Sequence, residues 1–177
     1  MRILTLTLKF LRVIKMPNNL INKKDVIILR ELSVNARTPI TKIAKVLSIS
    51  DVAVKRRLVK LEENNVIKKY TYIANSKKLG YDIVAVVGIN TSPDRTLDVI
   101  KLIKERDDVT FIALSSGDHN LLVEIWSKNS EELSKVVEDL RRISGVTAVY
   151  PAIILDVIKE REPIPRRFLK EALEEGS

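Results

Sequence analysis

The chain's single histidine, His119, follows Asp118 in the stretch Ser115–Trp126, SSGDHNLLVEIW, with Ser115 and Ser116 just before it. Serine, histidine and a carboxylate are the residue types of a nucleophile–base relay, which needs them within hydrogen-bond reach of one another. Neighbours in a strand–turn–strand segment point in different directions, and here no nucleophile elbow, Gly-rich phosphate loop or second carboxylate cluster accompanies them. One histidine and no cysteine also exclude zinc centres built on two or three histidines or on thiolates. No catalytic residue, metal ligand or cofactor is expected, so the chain does not read as an enzyme. The other reading of the stretch is a tight turn between two strands.

A second group of chemically capable residues is basic. Lys55, Arg56, Arg57 and Lys60 fall within DVAVKRRLVKLEEN, residues 51–64. They belong to an asymmetric chain: 18 of its 31 Lys and Arg but only 6 of its 23 Asp and Glu precede Ile83, a balance of +12 against −4 for the remainder. A half that is strongly positive is an electrostatic footprint for a polyanion. Double-stranded DNA is the expected partner; an anionic membrane surface is the rival, and a solvated face without a partner is the bland alternative. The basic, apolar MRILTLTLKFLRVIKM contains no run of ~18 uncharged residues, so no membrane span is expected.

The elements that would carry the basic cluster are helices. Residues 23–36, KKDVIILRELSVNA, space Val26, Ile27, Leu29 and Val34 at helical intervals with Asn22 as N-cap. Pro39 suits the first turn of the next helix, which sets Ile40, Ile43, Ala44 and Leu47 on one face. After the turn Ser48-Ile49-Ser50, Ser50 caps a third helix that runs to about Asn64 and buries Val54, Leu58 and Leu61. Two helices joined by a short turn, the second one basic, describe a helix-turn-helix. Residues near the start of such a second helix reach base edges in the major groove: here Ser50, Asp51, Val52, Ala53 and Lys55, with Thr41 and Lys42 on the helix before. Arg56, Arg57 and Lys60 are longer, lie further along and suit phosphates. Arg57 has an alternative role in an ion pair with Glu31 or Glu62.

Beyond Asn65 the hydrophobic period changes. Residues 70–75, YTYIAN, read as a strand and residues 76–81 as a polar linker with Gly80. Then follow a strand (83–91), a helix (93–106), a strand (109–115), a strand (121–126), a helix (130–143) and a long strand (146–158). The order βαββαβ predicts a ferredoxin-like α+β module: a four-stranded antiparallel sheet with both helices on one face. The uncovered face, rich in Ile, Val and Leu, is expected to pack against another copy. A short helix is expected at residues 166–173.

From about Ile21 to Glu160 the chain resembles the Lrp/AsnC, or feast/famine, family of transcriptional regulators. The resemblance rests on Ile21-Asn22 with Asp25, Ala36-Arg37, Ile43–Lys45 (IAK), Ser48–Ser50 (SIS), Arg57–Glu62 (RLVKLE) and Asn65–Tyr70 (NVIKKY). It continues with Ser116–Leu122 (SGDHNLL) and Gly145–Tyr150. The resemblance implies a helix-turn-helix domain over residues 21–69, a strand and linker over 70–82, and an effector-sensing and oligomerisation domain over 83–160. Residues 1–20 form an N-terminal extension or a mis-started segment with Met16 as the true first residue, and 161–177 form a tail. It further implies a cytoplasmic regulator that binds double-stranded DNA as a homodimer assembling to an octamer or higher. A small effector, commonly an amino acid, would sit between dimers against Ser116, Gly117, Asp118, His119, Asn120, Thr147 and Ala148. Three positions depart from the family pattern: Asn22 in place of Asp, Asn65 in place of Gly, and Pro151-Ala152 where hydroxyl residues are frequent. The alternative function is an architectural, nucleoid-type DNA-binding protein without an effector.

Overall fold

The structure, a computed structural model, describes residues 21–174; the extension expected over residues 1–20 lies outside the described residues. The chain forms two compact units, one of residues 21–73 together with 159–174, the other Ala74–Ile158.

The first unit begins with three helices, α1 (Lys23–Val34), α2 (Ile40–Leu47) and α3 (Asp51–Glu63). Asn22 caps α1 with a reciprocal box: its Oδ1 accepts from the Lys24 and Asp25 amides, and Asp25 Oδ2 accepts from the Asn22 amide at 2.9 Å. Pro39 occupies the N-cap of α2 and Ser50 that of α3, where its Oγ accepts from the Ala53 amide. The turn between α2 and α3 is made by Ser48 in the left-handed region, φ 52°. Ile28, Ile43, Ala44, Leu47, Val54 and Leu61 form the core, flanked by Ile40, Ile49 and Leu58. Each such aliphatic side chain withdrawn from water contributes roughly 1.5–3 kcal/mol before entropic costs. Val34, expected on the apolar stripe of α1, is 84% exposed because it sits in the last turn, past the core.

The second unit holds β1 (Ile83–Thr91), α4 (Thr96–Lys104), β2 (Val109–Leu114), β3 (Leu121–Ser127), α5 (Ser130–Arg142) and β4 (Val146–Ile153). The sheet order is β2-β3-β1-β4, every pairing antiparallel, which is the ferredoxin-like arrangement. Ala85, Val87 and Ile89 of β1 with Leu121, Val123 and Ile125 of β3 meet Val99 and Ile103 of α4 and Leu133, Val136, Val137 and Leu140 of α5 in one core. Both helices therefore cover the same face. The residues of β1 and β3 that alternate with these, Val84, Val86, Leu122, Glu124 and Trp126, lie on the open face. Phe111 and Tyr150, paired with Glu124 and Gly88, join them there and are exposed. The open face is thus more aromatic than its expected Ile, Val and Leu content.

Two expected strands differ. Residues 70–75 form no strand, and Tyr72 and Ile73 are exposed. Alternation supplies strand propensity, yet a strand exists only when its amides meet a partner, and this segment joins no ladder of the described sheet. Likewise β4 stops at Ile153 rather than Ile158: one more bond, Ile154 N–H to Val84 O, brings it to within a residue of where β1 begins. Helix α4 begins at Thr96, since Pro93–Arg95 form the turn that precedes it.

The segment after β4 ends in α6 (Arg166–Glu174), which packs against α1 in the first unit. The expected terminal helix is present, and it is part of the helical body.

Candidate nucleic-acid interface and effector turn

On α3 the core side chains Val54, Leu58 and Leu61 fix which face turns outward. Asp51, Val52, Lys55, Arg56 and Lys60 are exposed, and Ala53 is half-buried. Lys55, Arg56 and Lys60 make no ion pair among the described residues, so their charges stand available to a polyanion. Thr41 and Lys42 are likewise exposed on α2. Ser50 is exposed, but its hydroxyl oxygen is engaged as the cap. Val59, half exposed on the same helix, was not singled out from the sequence; an apolar residue between Arg56 and Lys60 reads as core until burial is known.

Arg57 is placed differently from its basic neighbours. Its guanidinium donates to Asp25 Oδ1 at 2.8 Å and to Asn22 Oδ1 at 3.1 Å. The partners expected from sequence are occupied elsewhere: Glu31 pairs with Arg30 at 3.2 Å, and Glu62 accepts from the Tyr70 hydroxyl at 2.8 Å. Asp25 is 6% exposed, so its carboxylate needs the cation and the amide it receives. The arrangement bolts α3 to the first turn of α1, and it holds the guanidinium of Arg57, a residue expected on phosphate, against Asp25 and Asn22. Partial burial of the Tyr70 ring, with the bond to the Glu62 carboxylate, pushes its phenol up to about 12.

In the second unit the turn between β2 and β3 closes with Ser115 N–H donating to Asn120 O at 2.7 Å, and the Gly117 amide donates to Ser115 Oγ at 3.2 Å. Ser116, Gly117 and Asp118 are exposed at its tip. Asn120 Oδ1 accepts from the Thr91 amide at 2.8 Å, tying the turn to the end of β1, where Thr91 Oγ1 lies 2.7 Å from Thr96 Oγ1.

His119 leaves the turn and lies over the open sheet face. Its ring stacks on Tyr150 with centroids 4.9 Å apart at 28°, and Nδ1 is 3.2 Å from Asn90 Oδ1. It also covers Gly88, where an added Cβ would fall 2.1 Å from the His119 ring. This explains why Gly88 is buried on a face whose other β1 residues are half-exposed. Asn90 pairs with Ala148 across the sheet, while Thr91 pairs with Val146, so Thr147 is the extra residue of a bulge. His119, Asn120 and Thr147-Ala148 therefore converge on Asn90 and Thr91, whereas Ser116, Gly117 and Asp118 stay at the exposed tip. Gly88, Asn90, Thr91 and Tyr150 were missed in the sequence reading. Gly88 left a signal, since an isolated glycine inside a Val- and Ile-rich strand marks a close approach. No group of three or more potential metal ligands occurs among the described residues, and none of their helices is long and apolar enough to cross a membrane.

A capped basic helix-turn-helix joined to a ferredoxin-like module defines a DNA-binding regulator with a separate sensing domain. Residues 21–62 match the AsnC-type helix-turn-helix domain and residues 84–164 the Lrp/AsnC ligand binding domain. The HTH-type transcriptional regulator LrpA of Pyrococcus abyssi is 44% identical over 141 residues, covering 79% of this chain and 100% of LrpA. The HTH-type transcriptional regulator LysM of Sulfurisphaera tokodaii is 35% identical over 138 residues, 77% of this chain and 96% of LysM. The chain belongs to the Lrp/AsnC family of transcriptional regulators. Its fold is shared by AsnC of E. coli, with a TM-score of 0.73 and 23% identity over 80% of this chain and 96% of that one. A Neisseria meningitidis transcriptional regulator, solved as a complex with L-Met, aligns at a TM-score of 0.77 and 20% identity over 84% of this chain and 99% of that one.

Proposed function

We propose that the exposed face of α3 reads an operator in the major groove, with Asp51, Val52, Ala53 and Lys55 nearest the base edges and Arg56 and Lys60 on phosphates. The observation that carries this is the contrast along one helix: Lys55, Arg56 and Lys60 are exposed and unpaired among the described residues, whereas Arg57 is engaged with Asp25. In the cytoplasm a homodimer would present two such helices to half-sites about one helical turn apart. The aromatic open face of the sheet, with Phe111, Trp126 and Tyr150, is the surface we assign to association with a second copy, and dimers would assemble to an octamer. The effector, an amino acid, would bind at Ser116–Asn120 with Thr147 and Ala148, where Asp118 is exposed and makes no hydrogen bond or ion pair among the described residues. Selection of bound duplexes from a random pool tests the operator reading: an enriched pseudo-palindrome is expected, and the absence of any motif would favour the architectural alternative. Thermal-shift screening of the proteinogenic amino acids tests the effector, since a ligand present at 100 times its Kd stabilises the native state by roughly 2.7 kcal/mol. Flat melting curves across the whole set would refute an amino-acid effector.

A further inference from the structure

The segment matching the ligand binding domain ends at residue 164, and LrpA is matched along its whole length by 79% of this chain. Helix α6, Arg166–Glu174, therefore lies beyond the matched segment. Its half-buried residues are Phe168, Leu169, Ala172 and Leu173, one stripe at helical spacing, while Arg166, Arg167, Lys170, Glu171 and Glu174 face water. A helix of this length is marginal alone, so the stripe needs a partner. That partner is α1: α6 packs on it and belongs with the helical unit, not with the sheet from which the chain has just emerged. On α1, Val26 is 2% exposed although it is not part of the core that α1 makes with α2 and α3. A side chain buried outside that core takes its cover from elsewhere, and α6 is the further helix packed on α1.

The chain path adds a consequence. It leaves the helical unit after Ile73, builds the sheet, and returns at Lys159. The last sheet bond is made by Ile154, and residues 155–165 lead from there to α6. Residues 155–165 therefore tie the helix that packs on α1 covalently to the sheet unit. We propose that α6 is a strap: through it the sensing unit keeps a second covalent hold on the DNA-binding unit, steadying α1 and, through Asp25 and Arg57, the recognition helix.

Hydrogen exchange resolved by peptide tests this, with binding to a duplex selected from a random pool by the full chain as the second readout. Three altered chains are compared with the full one: a chain ending at Ile158, the variant Phe168→Asp, and a full chain cut at a protease site inserted within residues 159–165. In all three, α1 amides should exchange at least tenfold faster while β1–β4 amides keep their rates, and the selected duplex should bind several-fold more weakly. The cut chain retains every residue, so loosening of α1 there separates a tethered strap from an ordinary fourth helix. Unchanged α1 exchange in Phe168→Asp, or in the cut chain, would overturn the proposal. If the shortened chain fails to fold, those two chains decide.

Discussion

Replacing Gly88 by alanine forces a choice on His119. The new methyl group would sit 2.1 Å from Cδ2, 2.5 Å from Cγ and 2.6 Å from Nε2 of the imidazole. Backbone on two hydrogen-bonded neighbours holds position 88, paired to Leu122 on one side and Tyr150 on the other, so the ring must move. Leaving gives up the stack on Tyr150, worth about 0.5–1.5 kcal/mol, and the bond to Asn90, worth about 0.5–1.5 kcal/mol. Gly88→Ala should therefore destabilise the sensing unit by about 1–3 kcal/mol. In a His119→Ala background the obstacle is absent, and the same substitution should cost less than about 0.5 kcal/mol. Trp126, the chain's single tryptophan, stands on β3, so urea titration followed by its fluorescence reports on this unit. An equal cost of Gly88→Ala in both backgrounds would show that the ring does not occupy this place in solution.

Other expectations follow from the DNA-binding unit. Arg57→Ala strands the buried Asp25 carboxylate and should lower helix stability, followed by circular dichroism, by about 1–3 kcal/mol; Arg56→Ala should leave stability within about 0.5 kcal/mol yet reduce the salt slope of DNA binding by about 0.9. The reverse pattern would undo the division of roles along α3. Ser48→Gly removes a left-handed strain at φ 52° and should raise stability by up to about 1 kcal/mol, more than Asn65→Gly at φ 55°, because asparagine tolerates that region. Tyr70 holds its proton more tightly when folded, so its contribution is complete below pH 10 and declines as pH rises from about 10 to about 12. Exposure of 48% of the residue keeps the effect modest through solvent screening. Tyr70→Phe should abolish that decline.

Much of the fold was legible because two periods divide the chain cleanly. Ile40, Ile43, Ala44 and Leu47 recur at helical spacing, whereas Leu121, Val123 and Ile125 alternate. Caps at Asn22 and Ser50 were equally plain, since their oxygens act within the same turn. What escaped was set by partners distant in sequence. Residues 70–75 carry strand propensity but have no neighbouring strand to bond. Arg57 had several carboxylates within plausible reach, and only packing selects Asp25. His119 looked like a loop residue until Gly88, far away on β1, supplied a flat place for its ring. The departure at Asn65 became intelligible through its positive φ, a conformation that both glycine and asparagine adopt readily.

Asp25 gives one oxygen to the start of α1 and the other to Arg57. The orientation of the α3 face proposed to meet DNA is thereby encoded well before that face begins, and apart from the residues proposed to touch it. Swapping operator preference between relatives then becomes a grafting problem with a clear seam. Exposed positions 51, 52, 55, 56 and 60 are open to exchange, while 25, 54, 57, 58 and 61 form the socket and should travel together or stay unchanged.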